Sequence, residues 1–595
     1  MKEDNYILKE KSLDTTTIHK KNKVKKRFFA EKQWYKLTLT IILWSVLQEV
    51  IMASTDLVDN IFVNHLRPEH INGFQELLNY IKDSGWKELS TNPDFLKLLE
   101  QNGLLGYAGD GMFYEAGQIG VNAVSASNQL YIIMFCMVSG FCYGAGIFSA
   151  QYFGAGEYQK LKQVTALKMY LTLSITVLFM LFAIPGITEK MIGFTTHPLN
   201  VSKPTDQLVA EKDSIMSYFS YFQNEAAKLA TQEGVRYYRI VSMSYILLTI
   251  NQVTVTVLRE TRRPFYSLFM ASISLVANST CNIFLTSPTF IPGFIGFGVE
   301  GSAYGTVASR IMQTIFIFCL LSIKRFEFIP RIKHFLINRI IVKLVLLKSI
   351  PILFNETLYA FAQVLQVKLR ALYSVESLTA NAMYETMLMA FFSPMYHGLN
   401  AGISTLVGNE LGAQRFDKAK YNATHLMRLS FVIGICFTAL LSGLSFVIPN
   451  LIFPNALPEA NRIGIWMIFI YTMTYPVIMI NNCCYSVLRA GGSVISSFLM
   501  DSGFNWTIQI PTLAFLILAN KHIFPESGLF TLDIVWVHLI TCLCETFKLI
   551  PALILYFKKT WVRSLIEPKE EDPTYILTAD GKSKIDDLKE VKSTN

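Results

Sequence analysis

Among the carboxylates inside long apolar stretches of this chain are Glu49, Asp56, Asp59, Glu356, Glu385 and Asp501. A charge at membrane depth is costly to place, so such a group faces a cavity or a partner. There it can take a sodium ion or a proton in one shape of the protein and release it in another. Asp59 leads this set, near the far end of the first stretch in Leu57-Val58-Asp59-Asn60-Ile61-Phe62-Val63. Glu356 is second, in Ile350-Pro351-Ile352-Leu353-Phe354-Asn355-Glu356, where Pro351 frees backbone carbonyls and bends a helix. Glu49, Asp56, Glu385 and Asp501 could attract a cationic molecule in a cavity, or be paired internally. His397, a lone histidine, reads as hydrogen-bonded rather than as a proton relay. No metal-ligand cluster, nucleophile elbow or Walker motif appears. That argues against a membrane enzyme and against a pump driven directly by ATP, and no cofactor is implied. The nine cysteines lie in or beside apolar segments and read as small buried hydrophobes.

The elements that carry these residues are membrane helices. The chain is 52% hydrophobic and 16% charged, against about 25% charged for a soluble domain. Apolar runs long enough for a bilayer, roughly 20 residues each, predict twelve spans. They cover about 36–64, 118–152, 163–190, 236–258, 264–288, 300–323, 341–368, 377–411, 419–448, 461–488, 493–519 and 531–557. The exits of the even-numbered spans are basic, among them Lys160 and Lys162, Arg262 and Arg263, and Arg415 and Lys418. The positive-inside rule then puts both termini in the cytoplasm of a multi-pass plasma-membrane protein. The net charge of +9 therefore concerns the membrane surface, and no nucleic-acid groove is visible. Residues 1–35 form a basic cytoplasmic arm without the apolar core of a signal peptide. Residues 65–117 hold eight acids between Glu69 and Glu115 against four bases, a net acidic external insertion. Residues 191–235 form a second insertion on the same side. Either could be a lid or a partner surface, or simply tolerated length.

The chain is duplicated. Gly140, Gly144, Gln151, Gly154, Ala155 and Lys160 recur as Gly398, Gly402, Asn409, Gly412, Ala413 and Lys418, each 258 positions on (398 − 140). Val257-Leu258-Arg259 recurs as Val487-Leu488-Arg489, at 230 (489 − 259), and Gln48-Glu49 resembles Asn355-Glu356, at 307 (356 − 49). The two falls in offset match the two insertions. The fold expected is an all-α integral membrane protein, twelve transmembrane helices in two pseudo-symmetric six-helix lobes. The lobes are 36–323 and 341–557, joined by a cytoplasmic linker at 324–340 and followed by a polar tail at 558–595. Gly140-x-x-x-Gly144 and Gly398-x-x-x-Gly402 predict close helix packing. Phe391 and Phe392 are aromatics that could stack on flat cations.

These elements together resemble the multidrug and toxic compound extrusion (MATE) family. Leu57 to Val63 is similar to its V-D-x-I-F-V signature. Gly154-Ala155-Gly156 and Leu411-Gly412-Ala413 match its L-G-A element. Val257-Leu258-Arg259 and Val487 to Gly492 match its L-R-G-x-G element, and Gly296 to Ala303 its G-x-G-V-x-G-A-A element. The resemblance covers roughly 36–560. It implies export of organic cations and other amphipathic toxins by antiport against sodium ions or protons, with alternating access between two lobes. It also implies a cation-coupling site in the N-lobe of Asp59, Asn278, Asn282 and Thr306, with Asp59 as a sodium ligand. Asn282 departs from the pattern, since many relatives carry aspartate there. By the same resemblance Glu356 matches a span-7 glutamate of one branch, which also uses an aspartate in span 10. Here Asn481 and Asn482 are the polar groups of that span, so a C-lobe cation or substrate site is incomplete. The partners implied are small amphipathic or cationic molecules and the lipid bilayer, with the chain a monomer. A lipid-linked oligosaccharide flippase of the same superfamily is the first rival, and a membrane receptor or scaffold the second.

Overall fold

Apolar runs of this length can satisfy their backbone in lipid only as helices, and helices are what the chain forms. The computed structural model describes residues 30–83, 93–94, 96–97, 116–196, 212–286, 294–373, 375–452, 458–519 and 532–566. The remainder of both insertions, the arm to residue 29 and the tail from 567 lie outside the described residues.

Among the helices of the described residues, twelve segments correspond to the expected spans. The first six are α1 (Lys32–Asn64), α2 (Ala116–Ala155), α3 (Tyr158–Leu181), α4 (Tyr245–Glu260), α5 (Pro264–Leu285) and α6 (Val299–Lys324). The second six are α7 (Arg339–Tyr373), α8 (375–412), α9 (Phe416–Leu444), α10 (Pro458–Ala490), α11 (494–518) and α12 (Ile534–Phe557). Among the described residues, eight helices are each long and apolar enough to cross a membrane, and a bent pair ending in α4 makes a ninth. The other three are α7, diluted by polar residues such as Asn355 and Glu356, and α8 and α11, which are interrupted. In α8 a π-helical turn, Leu388–Phe392, comes just before Pro394. In α11 the turn Asn505–Gln509 comes just before Pro511. Each turn absorbs the carbonyl that the proline leaves without a donor.

Span 4 differs from the expectation of one straight helix. The helix Lys212–Ser242 meets α4 at a bend of 57°. At the break the Ser244 hydroxyl donates to the Val241 carbonyl (2.7 Å), and Met243 is exposed. The described residues of the second insertion, 191–196 and 212–235, are helical. This insertion packs on α2, where the Ser127 hydroxyl donates to the Gly234 carbonyl at 2.8 Å. The first insertion folds back beside α6: a ring nitrogen of His70 lies 2.8 Å from the Ile295 carbonyl. At the start of α12, Asp533 caps the helix through Val535 N–H (3.0 Å) and meets Arg462 at 2.8 Å. Burial pushes the Asp533 carboxyl up, but these two donors outweigh it and hold it below the usual range.

The two halves meet through the repeated glycines. A Cβ at Gly144 would lie 2.4 Å from the Ser349 Cα of α7, and one at Gly398 would lie 2.8 Å from the Val46 nitrogen of α1. α2 thus packs on α7 and α1 on α8, the same contact made twice. At one end, α2 and α8 touch backbone to backbone: a Cβ at Gly154 would lie 1.9 Å from the Asn409 carbonyl oxygen, and one at Gly412 2.0 Å from that of Gln151. We call this the glycine end. Ionic and polar contacts complete the seam. Buried Glu410 of α8 accepts from Arg415 (2.6 Å) and, across the seam, from Arg262 (3.3 Å). The Gln151 amide donates to the Ala490 carbonyl (3.2 Å) and accepts from Leu565 N–H (2.8 Å). Residues 561–566, beyond α12, lie across the same end, with Trp561 and Ile566 buried against opposite halves.

Candidate functional site

Asp59 lies near the C-terminal end of α1, away from the glycine end, and is 7% exposed. Asn282 of α5 donates to its Oδ1 at 2.6 Å, and Thr306 of α6 donates to its Oδ2 at 3.3 Å. Asn278, one turn before Asn282, accepts from the same amide at 3.0 Å, while Thr286 donates to the Asn282 oxygen at 2.9 Å. All four expected N-lobe residues therefore converge from three helices. The carboxylate oxygens, the Thr306 hydroxyl and Asn278 Oδ1 form a cluster of hard oxygens of the kind sodium binds. Asp59 and Thr306 line a small cavity of about 30 Å³ with Val124, Asn128, Tyr131, Tyr237, Val241 and Arg310. That is room for one or two waters.

Arg310 was not among the residues expected at this site. It is buried, donates to the Ser244 hydroxyl at 2.7 Å, and its guanidinium stands 5.5 Å from the ring centroids of both Tyr131 and Tyr245. The bend before α4 is what brings Ser244 and Tyr245 to it.

The repeat unites a second set of residues. Glu49 of α1 is paired with Arg259 of α4 at 2.5 Å, and Gln48 accepts from the same arginine at 2.9 Å. Glu356 of α7 is paired with Arg489 of α10 at 2.6 Å, and Tyr485 donates to it at 3.2 Å. One Glu–Arg pair in each half is thus built from equivalent repeat positions. Tyr143 of α2 and His397 of α8 lie within electrostatic reach of both pairs. The partner of Glu356 is thus an arginine of span 10. The doubled Val-Leu-Arg and Gln-Glu/Asn-Glu elements carried the signal for these pairs.

The remaining candidates are dispersed. Asp501 accepts from Asn355 at 2.7 Å. Asn481 donates to the Glu545 carbonyl of α12 at 2.8 Å, with no bond to Glu356 among the described residues. Glu385 accepts from Asn381 at 3.0 Å, and Asn381 in turn holds buried Arg370. The side chain of Asp56 lies outside the described residues. Phe392 is 1% exposed and packs on Tyr475 (4.8 Å between centroids), so it belongs to the core. Lys168 of α3, fully buried, donates to both oxygens of Glu260 at 2.8 and 2.7 Å. No group of metal-ligating side chains occurs among the described residues.

The MatE family model matches the chain at residues 111–206 and again at 351–512. The curated "Probable multidrug resistance protein YoeA" of Bacillus subtilis (strain 168) is 22% identical over 446 residues, covering 72% of this chain and 86% of that protein. Two solved structures share the fold. An outward-facing multidrug resistance MATE transporter of the MOP superfamily superposes with a TM-score of 0.64 at 13% identity, covering 88% of this chain and 94% of the other. A MOP superfamily transporter from Pyrococcus furiosus, described as having a binding pocket of reversed polarity, gives 0.64 at 14% identity, covering 88% and 96%. With the family model matched once in each half, in order, the chain resembles the MatE family, and its fold is that of the solved MATE transporters.

Proposed function

We propose that this chain is a secondary transporter that exports amphipathic or cationic small molecules in exchange for sodium ions or protons. The observation that carries this reading is Asp59, a buried carboxylate whose donors among the described residues are neutral and which faces a small polar cavity. Such a group gains a counter-charge cheaply and loses it when its neighbours move. The two lobes are the moving parts, rocking about the doubled α1–α8 and α2–α7 contacts. The glycine end is cytoplasmic, as the basic exits require, which makes the form described here one closed to the cytoplasm. Both termini are then cytoplasmic, and the protein works as a monomer in the plasma membrane.

The test is ethidium efflux from proteoliposomes with sodium and proton gradients imposed separately. One of the two gradients should drive efflux, and Asp59→Asn should abolish that coupling while leaving a folded membrane protein. Full coupled transport by Asp59→Asn would defeat the N-lobe assignment. A second reading, a flippase for lipid-linked oligosaccharides, draws on the buried guanidinium groups of Arg259, Arg310 and Arg370, which suit a diphosphate. Ethidium efflux indifferent to both gradients, with translocation of such a lipid by the same liposomes, would favour it.

A further inference from the structure

We propose that Arg310 is a specificity-determining residue of the N-lobe site: its guanidinium fills the place of a metal cation and bars sodium from Asp59. The inference rests on the reading of Asp59 as the ion's site.

Asp59 and Arg310 line one cavity of about 30 Å³. They form no ion pair within 4 Å among the described residues, so the cavity separates them and an ion entering it would sit between them. Arg310 cannot shed its charge, because a guanidinium stays protonated in proteins. Nor is it free to withdraw. Ser244 accepts from it at 2.7 Å, the rings of Tyr131 and Tyr245 flank it, and it is 8% exposed. The other polar groups facing the cavity are neutral: Asn128, Tyr131, Tyr237 and Thr306. One carboxylate and one guanidinium leave the site without net charge before any ion arrives. Two unit charges about 6 Å apart at an effective dielectric of about 20 repel enough to weaken binding of the second roughly a hundredfold. A neutral water meets no such repulsion, and the cavity is of a size to hold one or two.

The asparagines agree with this charge balance. Asn282 turns its amino group, not its oxygen, toward Asp59, and its oxygen is occupied by Thr286. A sodium site would want that oxygen facing inward. With a permanent cation across the cavity, a donor amide is the better neighbour for the carboxylate.

The test is sodium binding by the purified full chain, followed as thermal stabilisation and as retained radioactive sodium, with choline holding ionic strength constant and potassium as the control. Wild type should show no sodium-specific response. Arg310→Gln should gain one, with affinity raised about a hundredfold, and adding Asp59→Asn should remove it. Arg310→Met keeps the apolar stem between the two rings and serves where the glutamine variant does not fold. Two results would overturn the inference: sodium-specific binding by wild type that Asp59→Asn abolishes, or a folded neutral variant that binds sodium no better than wild type. Efflux under a proton gradient, run in parallel, separates the failures. Loss of transport under every gradient defeats the transporter reading but leaves the binding result standing.

Discussion

Arg259 and Arg489 change what the interior acids are available for. Glu49 and Glu356 are each neutralised within their own half, so a cationic molecule between the lobes meets compensated carboxylates. Among the described residues no arginine is bonded to Asp59: its donors are an amide and a hydroxyl, with Arg310 standing across the cavity. Asp59 was legible because a carboxylate inside an apolar run is conspicuous, whereas Asn278, Asn282 and Thr306 were named only by the resemblance to a known family. The partners of the interior acids were not legible, because a pair such as Glu49 and Arg259 is separated by most of a lobe in sequence and joined only by packing. Lys168 was missed although it lies inside the third expected span, 163–190, because its partner Glu260 stands far off in the chain and is brought to it only by packing. Lys168→Met should cost about 3–5 kcal/mol, because it strands a buried carboxylate. Lys168→Met with Glu260→Gln should recover most of that loss. Thermal unfolding of the two variants in detergent checks the pair, and equal losses would mean the ion pair itself is not what matters.

Helices followed from the apolar runs, and most span ends fell close to expectation, because lipid leaves the backbone few choices; span 3, however, stops at Leu181 rather than 190, and α4 starts at Tyr245 rather than 236. Irregularities within helices were less readable. Pro394 and Pro511 announced a disturbance but not its form, a π turn on the preceding side. The bend before α4 had no proline to announce it. It depends on Ser244 bonding back to Val241 and forward to Arg310, which only the assembled lobe supplies. The glycines of the repeat did state their task. Gly154→Val would drive side-chain atoms into the Asn409 backbone and should abolish export while separating α2 from α8. Disulfide crosslinking of cysteines placed at Ala150 and Gly408 is expected to form readily in an otherwise native background and to fail beside Gly154→Val. Gly443→Ala is the control: it has open space around it, and the change should leave transport intact and add up to about 1 kcal/mol of helix stability.

Taken whole, the molecule is two similar halves bolted together at one end. The bolt is partly ionic: Glu410 on one half is held by Arg262 of the other as well as by Arg415 of its own. Glu410→Gln removes the carboxylate from three nearby cations, Lys418 included, and should shift the resting population toward the form open at this end. The expected readout is faster labelling of a cysteine introduced at Ala150 by a reagent added from the cytoplasmic side. Unchanged labelling would mean that the backbone contacts alone hold the seam. The doubled architecture was evident from motifs recurring at offsets that step down at the two insertions, whereas the seam's last component was not, since residues 561–566 match nothing in the repeat. That segment follows α12, yet Leu565 bonds to Gln151 and Ile566 packs beside Phe148 of α2. During synthesis the first six helices must therefore wait in the membrane with that surface uncovered. Only after the twelfth helix has entered the bilayer can the segment fold back and join the halves, so leakiness of the nascent protein would end with its final stage of insertion.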